Sequence, residues 1–362
     1  MKKRIVIAIV LAILMAASAY AQTTRYFVYV SNSASSSISA YAIDSSSGAL
    51  VGVDGSPFLT GPSPAGISAD PKGKFLYVTN KNSAKVSAYT IDPRTGALSA
   101  VSGSPFPTGP MPQEIASTPA GNFLYVADRG GANISAYAID PNNGVLSGVR
   151  GSPFATGLIP TELAVDPTGK FLYVVCRHGG VSACTIDPGT GALSAIAGSP
   201  FDAEGYPSGV VADPAGKYLY VANWLTANVS AYTIDPASGA LSRISGSPFP
   251  AGKSPGSFAM DVTGKFLYLA NEGSDNVSAY VIDPSTGALS IVDGSPFRAG
   301  LIPQKIVIDP TGKFVYVTNN GSKNVFAYAI TPGSGALAAV SGSPFAAERS
   351  PHGIAIATVT GP

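Results

Sequence analysis

The chain has 362 residues, 12% of them charged and 45% apolar, with a formal net charge of +1. Setting aside Lys2, Lys3 and Arg4 brings that charge to −2. Cations this sparse and scattered cannot neutralise a phosphate backbone or an anionic lipid surface, which excludes a nucleic-acid partner. The apolar content excludes a disordered chain, and 41 glycines with 30 prolines point to a turn-rich β protein.

Residues 1–21 stand apart. Lys2-Lys3-Arg4 is a basic start, Ile5 to Ala17 an apolar run, and Ala19-Tyr20-Ala21 a small-x-small cleavage site before Gln22. The pattern predicts a secretory signal peptide. The apolar run is short for a membrane span, and no later stretch is apolar enough to be one. The expectation is an exported protein, periplasmic or extracellular, whose mature part is one domain over 22–362 and a monomer.

From Tyr26 onward one unit recurs. Its marker is Lys74-Phe75-Leu76-Tyr77-Val78-Thr79-Asn80, with central tyrosines at Tyr29, Tyr77, Tyr125, Tyr173, Tyr220, Tyr268 and Tyr316. The step is 48 residues, and 47 once, between Tyr173 and Tyr220. Gly-Ser-Pro-Phe keeps the same beat from Gly55 to Gly342. Within one unit, Gly66–Asp70, Phe75–Asn80, Val86–Ile91 and Ala97–Val101 read as strands by alternation and by β-branched and aromatic content. Pro71-Lys72-Gly73 and Asp92-Pro93-Arg94-Thr95-Gly96 are the turns between them. Seven units of four antiparallel strands predict an all-β, seven-bladed β-propeller. The chain starts on a second-strand copy and ends on a first-strand copy, Pro351–Ile356. The C-terminal strand is therefore expected to join the N-terminal blade and close the ring, leaving no free edge.

The residues after the proline that opens each first strand should ring the central channel on one face, the top. They are Ala65-Gly66, Gln113-Glu114, Thr161-Glu162, Ser208-Gly209, Gly256-Ser257, Gln304-Lys305 and His352-Gly353. Glu114, Glu162, Lys305 and His352 are the catalytic candidates: a carboxylate or the imidazole as general base on water, the lysine holding an anionic substrate group. Gln113 and Gln304 are ligand-binding candidates beside them. A solvated polar pore is the alternative. The irregular fourth unit contributes Arg177 and His178, the next one Tyr206 and the single tryptophan, Trp224. With Glu204 these could form a top-face patch that stacks on a sugar or anchors a protein. Cys176 and Cys184 sit on neighbouring strands, and an exported protein can bridge such a pair; free thiols at two core positions are the alternative. Cys176, His178 and Cys184 match no metal-site spacing, so no metal and no cofactor is expected.

The Tyr77-Val78-Thr79-Asn80 and Tyr316-Val317-Thr318-Asn319 segments, with Val86–Asp92 and Thr95-Gly96-Ala97-Leu98, resemble the YVTN-type propellers. They resemble, more widely, the lactonase family of seven-bladed propellers, which includes 6-phosphogluconolactonase-like proteins. The resemblance covers the whole mature chain. It implies His, Arg and Glu residues around the central cavity, and the nearest local match is Arg349-Ser350-Pro351-His352, where the histidine follows the proline and the arginine precedes it. Two functions follow as expectations. The first is an exported binding or scaffolding module that holds a protein or glycan on its top face. The second is a hydrolase acting on a small sugar lactone.

Overall fold

The structure, a computed structural model, describes residues 23–361; the expected signal peptide lies outside them. The described chain forms seven antiparallel sheets arranged as blades around an axis. Blade 2 shows the pattern. Its innermost strand is Pro64–Ala69, followed outward by Phe75–Asn80, Lys85–Ile91 and Leu98–Ala100. Blade 1 takes its innermost strand from the C-terminus: Pro351–Gly361 pairs with Thr23–Asn32, Val28 opposite Ile356. The all-β fold and the closure are as expected. Among the described residues, no helix is long and apolar enough to cross a membrane.

The turns explain the regularity. Asp70 takes the backbone N–H of Phe75 on Oδ1 at 2.6 Å, and Gly73, at φ 65, donates to the Asp70 carbonyl. Asp92 caps the outer turn through Arg94 and Thr95.

No blade owns its core. The apolar clusters lie in the seams: Phe75 and Tyr77 of blade 2 pack with Leu124, Val126 and Tyr137 of blade 3. Each central tyrosine, fully buried, crosses its seam and donates to a turn glycine of the next blade. Tyr29 reaches the Gly96 carbonyl at 2.7 Å, Tyr220 that of Gly287 at 2.9 Å, and Tyr316 that of Gly48 at 2.9 Å, which seals the last blade to the first. Gly96 has φ 76, and a Cβ there would lie 2.4 Å from the Phe27 ring, so the turn that accepts the hydroxyl must be glycine. Tyr220→Phe leaves a buried carbonyl without its donor and is expected to cost about 1–3 kcal/mol, read as a lower urea midpoint at unchanged slope.

One feature was not foreseen. The Gly-Ser-Pro-Phe phenylalanine opens a fifth, two-residue strand in six blades, as Phe106–Pro107 pairs onto Lys85 and Val86. In blade 4 that pairing shrinks to one bridge, Val181 with Phe201. Of the two readings of the cysteines, the bridge is corrected and the free thiols hold: Cys176 and Cys184 are both free and buried. Cys176 faces Gly180, whereas Cys184 faces Leu172. They are thus four rungs apart, roughly 13 Å at about 3.4 Å per residue, beyond the ~7 Å Cα limit of a disulfide.

Candidate functional site

Each innermost strand carries a register shift just after its opening proline, for example between Pro303 and Lys305 and between Pro160 and Glu162. Bulges re-aim side chains, and here they fall on the residues that ring the channel. The ring order follows the chain, blade 7 touching blade 1. Blades 3 and 4 therefore lie across the axis from blade 7.

Lys305 of blade 7 crosses that axis. Its Nζ is ion-paired with the carboxylates of Glu114 and Glu162, side chains that are 13%, 11% and 16% exposed. Burial works against the Lys305 ammonium, but the two carboxylates outweigh it and raise its pKa above the usual lysine value. Burial pushes the Glu162 carboxyl up to about 8, opposed by Lys305 and reinforced by Glu114. Two negative charges against one positive make a carboxyl of this triad the natural seat for a proton.

His352 enters the same mouth from blade 1. Its carbonyl accepts from Thr318 Oγ1 of blade 7 at 2.7 Å. The next residue, Gly353, lies so close to blade 2 that a Cβ would sit 2.2 Å from the Ala65 carbonyl oxygen. The histidine is thus held at a seam where both neighbours fix the backbone. Its Nδ1 is buried with no hydrogen-bond partner. Burial, then the charges of Lys81 and Lys305, hold its pKa well below the usual histidine value, so the imidazole is neutral.

The cavity at the mouth measures about 90 Å³ and is lined by Gln113, Glu162, Lys305, His352, Gln304 and Ser208, with Arg129, Arg177, Trp224 and Glu272 above them. Gln304 Nε2 donates to Glu272 at 2.9 Å. Gln113 Oε1, Arg177 Nε and Trp224 Nε1 are buried without partners. Such atoms call for water or a ligand. Lys81 lies near enough to feel the charges of Arg129, Glu114 and Lys305: burial, then Arg129, lower it to about 8. Among the described residues, the only ion pairs are Arg243–Glu204 and the two of Lys305. Lys81, Arg129 and Arg177, from the adjacent blades 2, 3 and 4, are therefore cations without a carboxylate partner.

The sequence reading thus places Glu114, Glu162, Lys305, His352, Gln113, Gln304, Arg177 and Trp224 around one point. Of the expected top-face patch, Arg177, His178, Tyr206 and Glu204 line one recess, with Glu204 also paired to Arg243 at 2.7 Å, whereas Trp224 turns into the mouth. Lys81, Arg129 and Glu272 were missed. Their signal is a column of the repeat, four residues after each central tyrosine: Ser33, Lys81, Arg129, Arg177, Trp224, Glu272 and Asn320. That column varies while the Tyr-Val core beside it barely does.

The fold and the mouth define a seven-bladed propeller with a buried polar site on its axis. The pattern of the Lactonase, 7-bladed beta-propeller family matches residues 15–112, 103–201 and 194–299, and the chain belongs to that family. No curated protein matches the sequence. Among solved structures it is similar to a protein of Bacteroides uniformis ATCC 8492 put forward as a 6-phosphogluconolactonase: TM-score 0.80, 20% identity, 92% of this chain and 99% of that one. It is also similar to the periplasmic gluconolactonase PpgL of Pseudomonas aeruginosa: TM-score 0.76, 18% identity, 93% of this chain and 100% of that one.

Proposed function

We propose that this protein hydrolyses the lactone of a sugar acid at the top mouth of its channel, outside the cytoplasm. The observation that carries the reading is His352, a neutral imidazole whose buried Nδ1 has no protein partner, in a cavity shared with cations that lack carboxylate partners. Family membership and the gluconolactonase relatives support it. The sequence alone favours a binding module; the open histidine favours hydrolysis.

In this reading His352 takes a proton from a water as that water adds to the lactone carbonyl. Arg129 and Arg177, which line the cavity, stabilise the oxyanion that forms. The ring C–O bond then breaks, the ring oxygen takes up the proton, and a hydroxy acid leaves. Glu114 and Glu162 are committed to Lys305, so they hold the cavity floor rather than act as the base. Export rests on the basic and apolar character of residues 2–17 and the Ala19-Tyr20-Ala21 site.

The test is turnover of glucono-δ-lactone and its 6-phosphate by residues 22–362, above the spontaneous rate. His352→Ala is expected to lower kcat by roughly 100-fold or more, the usual worth of a general base. Folded protein that opens neither lactone overturns the reading.

A further inference from the structure

Blade 4 breaks the repeat, and the break opens a second recess against the mouth. In the other six blades the fifth strand clamps the loop that leads to the next blade, as Phe249 and Pro250 pair with Val229 and Asn228. In blade 4 the hairpin is one residue shorter, with Cys176 paired directly to Gly180. Gly180 has φ 69, and a Cβ there would lie 2.2 Å from the Phe201 carbonyl oxygen. Only the Val181–Phe201 bridge survives, so the loop from Asp202 to Tyr206 leaves the sheet. With Arg177, His178 and Leu225 it lines a recess of about 470 Å³. The rings of His178 and Tyr206 meet edge to face there, centroids 4.9 Å apart at 68°. Arg177 lines both this recess and the 90 Å³ cavity.

The two volumes divide a substrate. A cavity of 90 Å³, open at the mouth, takes the lactone end and its water and has no room for a further ring. The recess falls within the ~300–1,000 Å³ usual for small-molecule sites. Its walls are mostly polar, with Leu225 the one large apolar side chain, so it suits a hydroxylated ring better than an alkyl chain. Aromatic rings give such a sugar a stacking face.

Resting on the hydrolase reading, we propose that the recess takes a second sugar ring joined to the lactone residue, so that the preferred substrate is an aldobionolactone. The lactone end lies over His352 and the second ring against Tyr206 and His178. A single-sugar lactone leaves the recess empty.

The probes are the ring-opened acids gluconate, maltobionate and cellobionate, titrated calorimetrically, with turnover of glucono-δ-lactone and of the two matching bionolactones measured alongside. At least one bionate is expected to bind tenfold or more tightly than gluconate. Tyr206→Asn, chosen because asparagine tolerates the φ of 54 at this position, is expected to erase the difference and leave gluconate binding unchanged. His178→Ala, at an exposed side chain, provides the same comparison without risk to the fold. Equal affinity for all three acids, or equal loss of all three in the variants, overturns the proposal. Turnover without a bionate preference sinks the second-sugar site and keeps the hydrolase. A bionate preference without turnover supports the recess and overturns hydrolysis.

Discussion

Removal of residues 351–361 is expected to leave a chain that no longer folds cooperatively. Those residues are the innermost strand of blade 1 and pair with Thr23–Asn32 along almost their whole length. They bury Ile354, Ala357 and Val359 at 6%, 0% and 3% exposure. They also touch the innermost strands of blades 2 and 7, so their loss opens two seams and an edge. Burying one large aliphatic side chain contributes about 1.5–3 kcal/mol, against a total stability of about 5–15 kcal/mol for a typical domain. The check is urea unfolding followed by near-ultraviolet circular dichroism. A truncated protein that keeps a single transition with the full-length slope would show that blade 1 stands without its borrowed strand. Restoration by a synthetic 351–361 peptide would place the defect in the missing strand.

Lys305→Met is the second large effect. It leaves Glu114 and Glu162 buried on the axis with no countercharge, and breaking a buried pair from one side costs about 3–5 kcal/mol. The cost depends on pH in a definite direction. Without Lys305, the burial that already raises Glu162 goes unopposed, so its folded-state pKa lies above the ordinary ~4.3 of an unfolded glutamate. The folded variant then holds protons that the unfolded chain gives up. Stability from that source is present below the unfolded value and lost as pH rises through the folded one. The variant should therefore come closest to the parent near pH 4 and fall furthest behind by pH 8, the value to which Glu162 is already pushed in the intact triad. A cost that is the same at both pH values would sink this account. Replacing both glutamates by glutamine in the same variant should recover much of the loss.

Much of the fold is legible in the sequence because the repeat speaks seven times. The tyrosines, the turn glycines and the split first blade each recur or close at a fixed step, so noise at one copy is outvoted by the others. The site lies where the copies disagree, which is why Glu114, Glu162 and Lys305 stand out from Gly66, Gly209 and Gly353 in one column, and His352 from Ala65 and Gly256 in the column before it. What cannot be read there is reach. Glu162 and Lys305 are 143 residues apart, and only the ring geometry shows that a lysine can span the axis to two carboxylates. The cysteine pair stays open in the sequence for a related reason: the neighbouring strands are legible, but the rung on each is not. Lys81, Arg129 and Glu272 were missed because their column lies in hairpin loops, where variation is ordinary. The blade 4 recess depends on a shortened turn and a freed loop, a change of pairing rather than of residue type.

The Glu114–Lys305–Glu162 triad also decides the direction of traffic. A propeller axis open at both ends would be a corridor, with arrivals at one face and departures at the other. Here three side chains from opposite walls join hands across it, and the corridor becomes an alcove. A visitor to the mouth meets that floor, and in the hydrolase reading proposed above a guest still waiting and one on its way out share one threshold.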